Sequence, residues 1–68
     1  MFMANLFKAK IAERNRSTDE VAAAIGVNPA TLYRKINGTS DFTRNEIQLI
    51  RHVLNLTTDE VEAIFFAE

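Results

Sequence analysis

The stretch Ser17–Gly38, STDEVAAAIGVNPATLYRKING, constrains the fold more than any other part of the chain, because it carries two helix starts and one tight turn at spacings that few folds satisfy. Ser17 followed three residues later by Glu20 is a capping box: the hydroxyl accepts the N–H of the third helical residue and the carboxylate reaches back to the N–H of Ser17. A helix is therefore predicted to start at Thr18. Val21, Ala22 and Ile25 give it an apolar stripe at helical spacing, and Gly26 stops it by taking the left-handed conformation that a Cβ penalises. The chain restarts almost at once. Asn28 is placed to cap and Pro29 to occupy the first helical position, where its missing N–H costs nothing. Val27 and Leu32 stand where a hydrophobic staple joins the turn to the second helix. Two short helices held at an angle by a brief turn containing glycine are a helix-turn-helix.

The flanking segments carry the same kind of signal. A first helix is predicted from about Ala4 to Arg14, with Phe7 and Ile11 facing the core, Met3 and Leu6 beside them, and Asn15 ending it in the left-handed region. Asn37-Gly38 closes the second motif helix, and a short loop runs through Asp41. Thr43 with Glu46 is another capping box and Phe42 with Ile47 another staple, so a fourth helix starts at about Arg44. Its residues Ile47, Leu49, Ile50, Val53 and Leu54 make a wide apolar face, expected of the helix on which the others pack. Thr57 with Glu60, and Leu56 with Val61, start a last helix from Thr58 towards Phe66. The expectation is an all-α fold: one helix-turn-helix domain over residues 1–68, with the motif at about 17–38. Ile64, Phe65 and Phe66 exceed what a short terminal helix needs, and they either finish the core or form a two-fold dimer contact.

Size limits the chemistry. A chain of 68 residues buries only roughly 60% of its unfolded surface, which leaves little room for a deep catalytic pocket. Cysteine is absent, which removes disulfides, thiolate metal sites and a thiol nucleophile. His52 is the single histidine and reads as an ordinary mid-helix residue. Asp19, Glu20, Glu46, Asp59 and Glu60 all fall in first turns, where the positive end of the helix dipole already accounts for them. Neither an enzyme nor a cofactor, metal or small-molecule substrate is expected. The opening MFMANLF is interrupted by Asn5 and too short for a signal core or a membrane span, so a cytoplasmic protein without membrane association is the expectation.

Ala22, Gly26 and Leu32, spaced four and then six apart, with LYRKING closing the unit, resemble the helix-turn-helix of the Cro and phage-repressor family of DNA-binding regulators. The resemblance covers nearly the whole chain, because the flanking helices also fit a compact five-helix, lambda-repressor-like domain. It implies a double-stranded DNA operator as partner, read by the second motif helix in the major groove while the preceding helix crosses the backbone. Three positions depart from the family's pattern. Arg16 stands where members usually have an apolar staple residue, Thr18 where they often hold a phosphate-contacting glutamine, and Lys35 where many are apolar.

Charge tests this expectation, since the net charge is −1 and nucleic-acid binders are commonly basic. Its distribution is uneven. Residues 1–52 hold all eight Lys and Arg against five acids, a net of +3, whereas residues 53–68 hold four acids and no base, a net of −4. A basic motif with an acidic end turned away from DNA reconciles composition with binding.

With Leu32 and Ile36 inward, a turn of about 100° per residue leaves Ala30, Tyr33, Arg34 and Asn37 outward, and Asn28 and Pro29 at the exposed end. These six are the candidates for base contact. Arg34 suits a bidentate pair with guanine, Asn28 pairs with adenine if capping leaves it free, and Ala30 suits a thymine methyl. The Tyr33 hydroxyl suits a phosphate as well as a base. Phosphate contacts are expected from Arg16, Thr18 and Arg44, with Lys10 and Lys35 as further candidates. The resulting expectation is a Cro-like or phage-repressor-like transcriptional regulator. The alternative is a protein-interaction module, an antirepressor or antitoxin, whose helices grip a repressor or toxin partner.

Overall fold

Four of the five helices end in the same way. In the computed structural model, which describes residues 1–68, the chain forms α1 (Ala4–Glu13), α2 (Thr18–Ile25), α3 (Pro29–Ile36), α4 (Arg44–Val53) and α5 (Thr58–Phe65). Asn15, Gly26, Gly38 and Asn55 follow α1 to α4 with φ of 57°, 77°, 87° and 52°. After each, the next N–H reaches back to a carbonyl of the preceding turn: Arg16 to Ile11 at 3.0 Å, Val27 to Ala22 at 3.0 Å, Thr39 to Arg34 at 2.9 Å and Leu56 to Arg51 at 2.9 Å. These are Schellman closures, which satisfy carbonyls that a helix end would otherwise leave unpaired. Asn15 and Gly26 end their helices as the sequence predicts.

The starts are equally explicit. Ser17, Thr43 and Thr57 each complete a capping box, with Glu20, Glu46 and Glu60, and Asn28 caps α3 by accepting the Thr31 N–H at 2.8 Å with Pro29 at the first position. Only α1 lacks a side-chain cap. It is held instead by a strap: the Met3 N–H donates to the Ile64 carbonyl at 2.7 Å, and the Met1 amino group donates to the Ala67 carbonyl.

The core gathers α1 against α5, α2 against both α3 and α4, and α4 against α5. Phe7, Val21, Leu32, Ile50, Leu54 and Ile64 are fully enclosed. Phe2, Phe7, Phe42 and Phe65 form a cluster whose ring centres lie 5.0–5.9 Å apart, within the spacing at which edge-to-face and tilted rings attract. Phe2, brought in by the strap, joins Phe42 from the α3–α4 loop.

One expectation needs correction. The apolar face of α4 is narrower than predicted: Ile50 and Leu54 are enclosed, but Leu49 is 37% exposed. Helix α2, in contact with α3 and α4, is as central as α4, and α1 packs on α5. Ile64, Phe65 and Phe66, expected either to finish the core or to form a two-fold dimer contact, do not share one environment. Ile64 is sealed and Phe65 is 8% exposed, because both complete the core beneath the Met1–Met3 strap, while Phe66 at the end of the helix is 59% exposed. No helix is long and apolar enough to cross a membrane.

Candidate nucleic-acid interface

Helix α3 divides its residues sharply by face. Leu32 and Ile36 face the core at 0% and 3% exposure, and Asn28, Pro29, Ala30, Tyr33, Arg34 and Asn37 are all exposed. The six expected base-contacting residues thus stand together on the outer face of one helix and its two caps. The Asn28 Oδ1 is committed to the Thr31 N–H, so its amide N–H groups are what remain to meet a base. The Arg34 guanidinium donates to the Thr31 hydroxyl at 3.1 Å, which draws it back along the helix towards the N-terminal end that enters the groove in helix-turn-helix docking. Thr31, which the sequence reading left out, therefore serves both neighbours. The signal was the three-residue spacing from Thr31 to Arg34, which places them side by side on a helix.

The Tyr33 hydroxyl lies 3.1 Å from that of Thr18, tying the outer face of α3 to the first turn of α2. Beside Thr18, the Arg16 guanidinium lies 3.4 Å from the Glu20 carboxylate, and both side chains are about half exposed. Arg44 is exposed in the first turn of α4 and carries no ion pair. Thr18 and Arg16 therefore stand beside the outer face of α3 with polar groups still open to solvent, and Arg44 is open to solvent at the start of α4.

The other two expected phosphate contacts are engaged inside the fold. Lys35 is 9% exposed; its ammonium donates to the Asp41 carbonyl at 2.9 Å and pairs with Glu46 at 3.0 Å. Burial works against ionisation of Glu46, but the Thr43 N–H and the Lys35 ammonium outweigh it and hold the carboxyl below its ordinary value. An inward Ile36 leaves the neighbouring residue near the edge of the core. The loop after α3 folds over that edge and encloses it.

Lys10 lies 2.7 Å from Glu60 and 3.2 Å from Glu13, clamping α1 to α5, and Arg14 adds bonds to Glu60 at 3.4 Å and to the Leu54 carbonyl at 3.0 Å. The Lys10 ammonium and then the Thr57 N–H hold the Glu60 carboxyl at about 2, and Glu60 followed by Glu13 raises Lys10. The acidic end of the chain is thus not simply turned away from the basic half. Its Glu60 is bonded to it.

A helix-turn-helix family model matches residues 7–61, from Phe7 in α1 to Val61 in α5. Among curated proteins no relative matches the chain.

Proposed function

The chain belongs to the helix-turn-helix family of the Cro and phage-repressor type, and we propose that it is a sequence-specific transcriptional regulator that places α3 in the major groove of a double-stranded DNA operator. The observation that carries this reading is the outer face of α3, where Arg34, Tyr33, Ala30 and the free amide of Asn28 project together beside the first turn of α2. In this reading Arg34 pairs with guanine and Ala30 packs on a thymine methyl. Arg44, Arg16 and Thr18 hold phosphates on either side and set the register without reading sequence. Residues 1–68 act as one binding unit.

The test is to select duplexes from a random pool with the protein, then titrate the enriched duplex and a scrambled one of equal length by fluorescence anisotropy over a salt series. A sequence-specific regulator binds the enriched duplex about 10³-fold or more tighter. Equal affinities overturn the reading.

A second reading, a protein-interaction module of the antirepressor or antitoxin kind, is favoured by the exposed end of the chain. Met1 and Phe66, 83% and 59% exposed, line one open groove with Phe2, Phe42 and Phe65. Equal affinity for the two duplexes beside tight binding to a co-encoded repressor or toxin would establish it.

A further inference from the structure

Lys35 is a cation enclosed beside Ile36 on the helix proposed to read DNA, and its ammonium is bonded to the loop after α3 and to the first turn of α4. Its ammonium meets the Asp41 carbonyl at 2.9 Å and Glu46 Oε1 at 3.0 Å, and stands 5.9 Å from the centre of the Phe42 ring. The same Oε1 accepts the Thr43 N–H at 2.8 Å in the capping box that starts α4. One carboxylate oxygen thereby serves a helix start and a bond across the loop. On the loop's other edge, the Gly38 N–H donates to the Lys35 carbonyl at 3.2 Å and the Thr39 N–H to the Arg34 carbonyl at 2.9 Å. The last turn of α3, the loop and the first turn of α4 are thus fastened at both edges. Arg34 projects from the first of these and Arg44 from the last.

We propose that Lys35 and Glu46 are a positioning pair for DNA recognition: without touching DNA, they fix Arg34 relative to Arg44 and so set how well the protein distinguishes one sequence from another. This inference rests on the DNA-reading function proposed above. A buried ion pair adds little net stability over apolar groups of the same volume; what it supplies here is a single geometry, because each charge must meet its partner or remain stranded. Base reading depends on such a constraint. A guanidinium that must meet two acceptors at once tolerates little displacement relative to the phosphate contacts that set the register.

The deciding variant is the double substitution Lys35→Met with Glu46→Gln in the full chain. It removes both charges, strands neither, keeps the net charge at −1, and retains a glutamine that completes a capping box. Its affinities for the duplex enriched by the wild type and for the scrambled duplex are measured by anisotropy over a salt series. The expected result is a ratio of specific to scrambled affinity reduced about tenfold, with scrambled binding and the salt slope unchanged. Glu46→Gln alone, which keeps the cap, lowers the ratio in the same direction and serves if the double variant proves unfolded by circular dichroism. An unchanged ratio overturns the proposal. So does a salt slope reduced by about one with both duplexes weakened alike, which would make Lys35 a phosphate contact. Ile11→Val on α1 is the stability control: its ratio stays at the wild-type value, and a loss there as large as in the double variant would reduce the pair to a structural role. Failure of the regulator reading looks different, because the wild type itself then shows no preference between the duplexes.

Discussion

The hydroxyls of Thr18 and Tyr33 stand 3.1 Å apart and bridge the two helices of the motif on its solvent side. Thr18 occupies the first position of α2, on the helix that crosses the DNA backbone in helix-turn-helix docking. In the proposed docking, a Tyr33 hydroxyl held there would meet a phosphate rather than a base edge. Tyr33→Phe is therefore expected to weaken enriched and scrambled duplexes by the same factor. Its stability should change by less than about 0.5 kcal/mol, as for an exposed substitution. Anisotropy with both duplexes and urea denaturation measure the two effects, and a loss confined to the enriched duplex would make Tyr33 a base reader.

Gly26 closes α2 at a φ of 77°, and a Cβ built there meets no heavy atom within 4 Å. Substitution consequently costs backbone strain and no collision. Gly26→Ala should lose ~1–2 kcal/mol, the cost of the left-handed conformation for a residue with a Cβ. Gly26→Val should lose more, since β-branched residues tolerate positive φ least. In a domain of this size, with ~3–5 kcal/mol in hand, either loss is visible as a lower denaturation midpoint. An unchanged midpoint in both variants would mean that the turn relaxes.

Glu60 joins the α5 capping box to Lys10 and Arg14, and its folded pKa is about 2 against an ordinary 4.5. A carboxyl depressed on folding contributes stability that is fully present above the unfolded value and disappears as pH falls through the folded one. The window is pH 4.5 down to about 2. Glu60→Gln keeps the cap and loses the charge. Its stability deficit relative to the wild type should be constant near neutrality and shrink across that window in urea denaturations at stepped pH. Lys10 is raised from 10.5, so the same contact also weakens at the alkaline end, above that value. A deficit that stays constant down to pH 2 would show that the ion pair contributes nothing.

The three apolar residues at the end of α5 should separate on substitution. Phe65 lies in the aromatic cluster and Ile64 is fully enclosed, so Phe65→Ala and Ile64→Ala should each cost ~2–5 kcal/mol and leave the domain marginal. Phe66→Ala removes an exposed ring and should be near neutral for the monomer's stability. If Phe66 supports a two-fold dimer, sedimentation at several concentrations will show that Phe66→Ala shifts the wild type's self-association towards monomer. A wild type that is monomeric throughout confines Phe66 to the monomer surface.

What the sequence made legible is local chemistry. The starts at Ser17, Asn28, Thr43 and Thr57 depend on residues three positions away, and the ends at Asn15 and Gly26 on a single residue's tolerance of positive φ. Asn55 ends α4 by the same means, and its side chain tolerates the left-handed region as that of Asn15 does. Lys35 and Phe2 were not readable. Their partners, Asp41 and Glu46 for one and Phe42 and Phe65 for the other, are fixed by how the loop after α3 and the Met1–Met3 strap fold over, and no periodicity encodes that. The division of Phe65 from Phe66 has the same origin, since helical spacing shows an apolar run without showing which side another segment covers.

Arg34 and Arg44 separate a DNA reader from a protein partner, because the two readings assign them different work. The Arg34 guanidinium on α3 is bonded only to Thr31, a neutral hydroxyl that it can exchange for a guanine edge, whereas the Arg44 side chain stands unpaired at the start of α4. If α3 reads bases, Arg34→Ala costs ~1–3 kcal/mol on the enriched duplex and relaxes the preference at one position, with scrambled binding little changed. Arg44→Ala weakens every duplex alike and lowers the salt slope by about one contact. In a protein-interaction module Tyr33 and Arg34 are still expected among the strongest contacts, since both residue types are enriched where proteins bind one another. The affected ligand would then be a protein, and the charge-dependent loss at Arg44 would carry no dependence on DNA at all. Titrating both variants against the enriched duplex, the scrambled duplex and a co-encoded repressor or toxin distinguishes the two. Equal DNA affinities for wild type and both variants, beside protein binding that collapses in Arg34→Ala, would transfer the outer face of α3 from an operator to a protein surface.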